Sequence, residues 1–121
     1  WDDFVYDTKG FWNPNEPTKL TVPRGVNRVR VTANIRWFVE SGDSGSRWVW
    51  IRMNGADDVF GMPLSRQLAT PLTDISQNIQ SAVIEVQEGD YFELRVYHNE
   101  NTERRILSNN NFNWFSIEVV Q

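Results

Sequence analysis

The chain has 121 residues, 40% of them hydrophobic and 13% aromatic, with a formal net charge of -4 and no cysteine. That length is one domain with a single core, and the missing thiols exclude a disulfide framework, a zinc–thiolate site and a thiol nucleophile. The acidic balance gives no long-range attraction to nucleic acid or acidic membranes. No apolar run approaches the ~18 residues that span a bilayer, so neither nucleic acid nor membrane insertion is expected. Residues 1–121 are read as one domain, and a start at Trp1 with no visible signal peptide reads as the C-terminal part of a longer chain.

In chain order, "GFWNPNEP" (residues 10–17) is a loop with two prolines and two asparagines. "KLTVP" (19–23) is a short edge strand stopped by its proline. "NRVRVTANIRWFV" (27–39) alternates cleanly: Val29, Val31, Ala33, Ile35 and Trp37 against Arg28, Arg30, Thr32, Asn34 and Arg36. "SGDSGS" (41–46) is a flexible connection. In "RWVWIRMNG" (47–55), Val49, Ile51 and Met53 fall on one face while Trp48, Trp50 and Arg52 fall on the other, so both faces carry large apolar groups. Asn54-Gly55 then turns that strand back.

"SAVIEVQEGDYFELRVYHN" (81–99) reads as two strands joined at Glu88-Gly89-Asp90. "NENTERR" and "SNNN" are polar tips. "NWFSIEVVQ" (113–121) sets Phe115, Ile117 and Val119 against Trp114, Ser116 and Glu118. Many short strands with regular turn signals and no helical period predict an antiparallel sandwich or barrel.

The candidate chemistries are weak. Gly42-Asp43-Ser44-Gly45 copies a serine-protease nucleophile motif, but the sole histidine, His98, lies downstream of the serine and the chain is too short for such an enzyme. Ser46 also stands where a nucleophile elbow needs its second outer glycine. Asp2-Asp3 and Asp57-Asp58 pair carboxylates without the alternating oxygen ligands of a calcium loop. Solvated loop charge is the plainer reading, with bound calcium as the alternative, and no cofactor is expected. Three arginines on one face of an acidic domain fall short of the basic footprint that phosphate contacts require. The chain reads as a non-enzyme.

The order of these pieces resembles the globular heads of the complement C1q and tumour necrosis factor superfamily. Gly10, Phe11, Asn13 and Pro14, then Val22, Pro23, Gly25 and Val26, follow that family's opening pattern. "IRMNG" matches its basic-asparagine segment, and Gly89, Asp90, Phe92, Leu94 and Val96 match its glycine–aspartate hairpin. "NWFSIEVV" sits where the closing strand belongs. The likeness spans nearly the whole chain through short motifs; it departs from animal members in lacking cysteines and carrying six tryptophans. Variants on bacteriophage fibres, tail needles and head spikes are the nearer likeness.

That resemblance implies a ten-stranded antiparallel jelly-roll sandwich assembled as a homotrimer. It also implies that the strands at 47–54 and 91–98 and the last strand share an inner sheet, whose outward face packs around the threefold axis. By parity this face would carry Trp48, Trp50, Tyr91, Tyr97 and Trp114, with Glu93, Arg95 and Glu118 able to pair between subunits. The strand at 27–39 would belong to the outer sheet.

The implied function is a trimeric attachment knob at the tip of a phage or phage-like appendage, on the virion surface or otherwise extracellular. Its partner would be a bacterial surface glycan or protein. Loops on a rigid sandwich commonly carry recognition, so Trp12, Asn13, Asp57, Asp58, Asn109, Asn110 and Asn111 are the candidate contacts. Two alternatives are a purely structural trimerisation cap or capsid decoration, and a monomeric carbohydrate-binding module using Trp48 and Trp50 as a stacking platform.

Overall fold

The computed structural model describes residues 7–40, 42–69, 74–107 and 111–121. Among these the chain forms nine strands and no helix: β1 Lys19–Thr21, β2 Arg28–Phe38, β3 Ser46–Met53, β4 Leu64–Leu68, β5 Ile75–Gln80, β6 Ile84–Glu85, β7 Tyr91–His98, β8 Arg105–Ile106 and β9 Trp114–Val119. They make two antiparallel sheets. One runs β1-β7-β3-β4. In the other, β2 is flanked by β5 and β6 along one edge and by β9 and β8 along the other.

The alternation in the sequence becomes the two faces of each sheet. Val29, Val31, Ala33, Ile35 and Trp37 of β2 point inward and are buried, opposite Val49 and Ile51 of β3 and Phe92 of β7. Fully burying such side chains contributes about 1.5–3 kcal/mol each. Trp37 adds a polar staple across the core. Its Nε1 donates to Gln77 Oε1 (2.8 Å), and Gln77 Nε2 donates to the Arg47 carbonyl (3.0 Å) and to Ser65 Oγ (3.1 Å), tying β2 and β5 to β3 and β4.

Local turn chemistry fixes the register. Asn54 and Gly55 both have positive φ (53° and 77°), the combination a tight hairpin turn requires. The Asn54 side chain then grips the far turn, donating to Asp90 Oδ1 and accepting from the Tyr91 N–H (both 2.9 Å). At the start of the described chain, Asp7 gathers the N–H groups of Gly10, Phe11 and Trp12 within 3.0 Å. Burial alone would raise this carboxyl, but those backbone bonds outweigh it and hold its pKa below 3.8.

Two expectations are corrected. The segment 84–98 is no hairpin: β6 pairs with β2 while β7 pairs with β1 and β3, so the Glu88-Gly89-Asp90 turn carries the chain from one sheet to the other. The last strand, β9, pairs with β2 over six residues and lies in the sheet opposite β3 and β7. Its alternation fixed which residues face out but held no information about which sheet it joins. Asp2, Asp3, Asn109 and Asn110 lie outside the described residues.

Candidate functional site

The outward face of the four-stranded sheet is divided in two. At one end, cross-strand pairing sets Trp48 beside Tyr97 and Arg66, Trp50 beside Leu64 and Arg95, and Ser46 beside Leu68. Leu64, Leu68 and Tyr97 are 58%, 67% and 53% exposed. Trp48 meets Tyr97 edge-on with ring centroids 6.5 Å apart, and the Arg66 guanidinium lies 5.0 Å from the Trp48 ring centre. Between Trp48, Trp50, Leu64, Tyr97 and Asp57 opens a shallow cleft of about 300 Å³. Asp57 gives the rim a carboxylate: its Oδ1 accepts from Trp50 Nε1 (2.8 Å) and pairs with Arg52 Nε (2.7 Å).

The other end of the same face is charged. Arg52 stands opposite Glu93, Glu93 opposite Lys19, and the Lys19 ammonium sits 4.5 Å over the Tyr91 ring. Six of the eight residues assigned from sequence to one face therefore share it: Trp48, Trp50, Tyr91, Glu93, Arg95 and Tyr97. Trp114 and Glu118 do not, because β9 lies in the opposite sheet. There Trp114 stands opposite Asn34, and Glu118 lies 3.8 Å from Arg30 on that sheet's outward face.

A third cluster closes one end of the sandwich. Arg47 shares the inward parity of Val49 and Ile51 and is completely buried. Its Nη2 contacts Glu100 Oε2 at 2.5 Å and Asp43 Oδ2 at 3.8 Å, and its guanidinium lies 5.5 Å from the Trp37 ring centre. Arg104 completes the set, with Nη2 3.2 Å from Asp43 Oδ1 and 3.0 Å from Glu100 Oε1, and Nε also bonded to Glu100. Two cations face two carboxylates, with Arg47 fully buried, the two acid side chains 7% exposed and Arg104 17% exposed. The Arg104 hydrogen bond, with help from the Ser44 N–H and from Arg47, outweighs desolvation and pushes the Glu100 carboxyl down to about 2.

This cluster revises the reading of two loops. "SGDSGS", taken as a flexible connection, contributes the buried Asp43 and Ser46. "NENTERR", taken as a polar tip, contributes Glu100 and Arg104. Ser44 sits in the same knot, its N–H on Glu100 Oε1 (2.7 Å) and its carbonyl accepting from Arg47 Nη1 (3.1 Å). His98 stands edge-on to Trp37, and its Nδ1 accepts from the Glu100 N–H (3.3 Å).

The predicted loop contacts are scattered and largely engaged in turns. Trp12 is half-buried and bridges to Leu20. Asn13 Oδ1 accepts from the Asn15 N–H (2.9 Å). Asp57 belongs to the aromatic cleft, Asp58 is exposed beside it, and Asn111 is an exposed turn residue.

Leu64 and Leu68 were missed. "LSRQL" does carry its apolar residues at a spacing of four, but an exposed five-residue strand is indistinguishable from loop without its partner. Arg47 was missed although its parity with Val49 already pointed inward; the acids that make its burial tolerable are remote in sequence.

The molecule is thus an all-β sandwich of two antiparallel sheets, one outward face half aromatic and the other polar. No family model matches the chain, and no curated protein does.

Proposed function

We propose that this domain is a homotrimeric attachment knob of a bacteriophage or phage-like fibre, needle or spike, on the virion surface or otherwise extracellular, binding a host surface glycan or protein. The observation that carries the reading is the aromatic half-face. Trp48, Trp50, Leu64 and Tyr97 line one cleft, with Leu68 exposed beyond Arg66 on the same face, beside the charged half. Rings of this kind bury about 150–250 Å² each when fully covered, and patches beyond a few hundred Å² are seldom left in water by a monomer. The self-association surface is therefore this half-face, with Arg95 and Arg66 at hand to pair with acids of a neighbouring subunit. Trp114 and Glu118 take no part in it.

A jelly-roll winding is favoured by nested pairing. β3 pairs β4, β2 pairs β5, and β1 pairs β7, as a hairpin folded over on itself would give. The likeness to the C1q and tumour necrosis factor heads rests on this winding and on the sequence motifs above.

Attachment and a purely structural cap separate in one experiment. Fluorescently labelled domain is applied to a panel of bacterial cells beside a Trp50→Asp variant. Attachment predicts that at least one strain retains the native domain and releases the variant, because losing three linked sites lowers avidity far more than any single contact. Native domain that assembles as a trimer and adheres to no strain would favour the cap.

A further inference from the structure

We propose that the outward face of the five-stranded sheet is a platform for a neutral oligosaccharide, with the Trp114 ring as its stacking surface. This names a ligand class and a surface for the attachment reading above, and rests on it. Pairing sets Asn78, Asn34 and Trp114 in one row across β5, β2 and β9, and Gln80, Thr32 and Ser116 in the next. Strands lie about 4.8 Å apart and alternate residues about 6.7 Å along a strand, so the six side chains fill a patch roughly 10 Å by 7 Å. That is the scale of a sugar ring and its substituents.

The chemistry of the patch fits hydroxyls. Amides and hydroxyls each donate and accept, as each sugar hydroxyl does, and the apolar C–H face of a pyranose suits an indole. Trp114 is 38% exposed, while Asn78 and Gln80 stand in solvent. Asn34 is held in place, its Nδ2 donating to the Phe112 carbonyl (2.5 Å). A protein partner is the poorer occupant, because interface centres are built from clustered apolar anchors and these two rows hold one ring.

Neutrality follows from the arginines around the patch. Arg30 lies 3.8 Å from Glu118, and Arg36 lies 3.8 Å from Asp74 with its guanidinium 4.3 Å from the Phe112 ring centre. Each is already balanced by an acid in the chain, which leaves uncharged donors and acceptors to read the ligand. A sulfated or carboxylated chain would meet Glu118 and Asp74 as well as the arginines.

The test is affinity gel electrophoresis of the purified domain through dextran, mannan and galactan, with heparin as the charged comparison. Native domain is retarded by at least one neutral polymer. Trp114→Ala weakens that retardation about tenfold, and Asn78→Ala, at an exposed position where the fold should be kept, weakens it severalfold. Lys9→Ala, at an exposed side chain on neither sheet face, leaves it unchanged.

Three outcomes overturn the proposal: no retardation by any neutral polymer, retardation by heparin alone that vanishes in salt, or binding that survives Trp114→Ala. Light scattering on the same samples keeps the two readings apart. A monomer that still binds through Trp114 leaves the platform and removes the trimer. A trimer that binds no neutral polymer removes the platform and leaves the trimer.

Discussion

Two regions of this molecule invert the ordinary distribution of side chains, and they do so in opposite senses. At the end of the sandwich, Arg47, Asp43, Glu100 and Arg104 bring four charges to positions with little or no contact with water. On the four-stranded sheet, Trp48, Trp50, Leu64, Leu68 and Tyr97 bring large apolar groups out of the core. The first region balances its charges within one chain: each cation has its carboxylates, the Ser44 and Ser46 backbones are bonded to Glu100 and Asn99, and of the Arg47 guanidinium only Nε is left without a hydrogen bond. The second is left open among the described residues, where Leu64, Leu68 and Tyr97 each stay more than half exposed. An inversion satisfied internally belongs to stability, and one left open belongs to association.

That distinction breaks if changes in the two regions have similar effects. Arg47→Met leaves two buried acids facing one cation and should cost about 3–5 kcal/mol in urea unfolding, because an uncompensated buried charge is left behind. Adding Asp43→Asn should cost less than the sum of the single changes, a coupling that a double-mutant cycle reads directly.

Gly45→Ala strikes the same knot through the backbone. Gly45 has φ +76°, and an added Cβ would lie 2.5 Å from Asn99 Oδ1, the atom that accepts from the Ser46 N–H. A loss of about 1–3 kcal/mol is expected in thermal or chemical unfolding.

Acid sharpens the comparison further. The Glu100 carboxyl is depressed from 4.5 to about 2 in the folded chain. A group with a lowered folded pKa contributes stability that is present above its unfolded value and lost as pH falls toward the folded one. Melting temperature should therefore drop between pH 4.5 and pH 2, and Glu100→Gln should flatten that part of the profile. A profile equally steep in the variant would assign the acid sensitivity elsewhere.

The open region should behave the other way. Leu68→Glu, at a side chain 67% exposed on an edge strand, should change unfolding free energy by no more than about 0.5 kcal/mol while weakening association. The smallest effect is expected of Trp114→Asp on the opposite sheet, where neither unfolding nor mass should move appreciably.

The sequence was most informative where one residue's environment depends on its near neighbours. The eleven residues of β2 alternate without a break, so their buried and wet faces could be read directly. Asn54-Gly55 declared its turn because few other pairs tolerate positive φ in succession. The double-faced character of "RWVWIRM" was equally legible, and with it Trp48 and Trp50 as unusual.

Pairing between distant segments was not legible. Nothing in "NWFSIEVV" distinguishes a neighbour of β2 from a neighbour of β7, so Trp114 and Glu118 were assigned to the wrong face. Glu88-Gly89-Asp90 has the composition of a hairpin turn and serves as a crossover between sheets. The buried charge cluster draws on Asp43, Arg47, Glu100 and Arg104, and only three-dimensional proximity shows that their charges cancel.

The open aromatic half-face as a self-association surface is tested most directly by the solution mass of the purified domain, from light scattering after size exclusion. The account predicts three times the 14.2 kDa of one chain, falling to 14.2 kDa in Trp50→Asp while Trp114→Asp keeps the native mass. A native domain at 14.2 kDa, or a trimer that Trp114→Asp dissolves and Trp50→Asp spares, would contradict it.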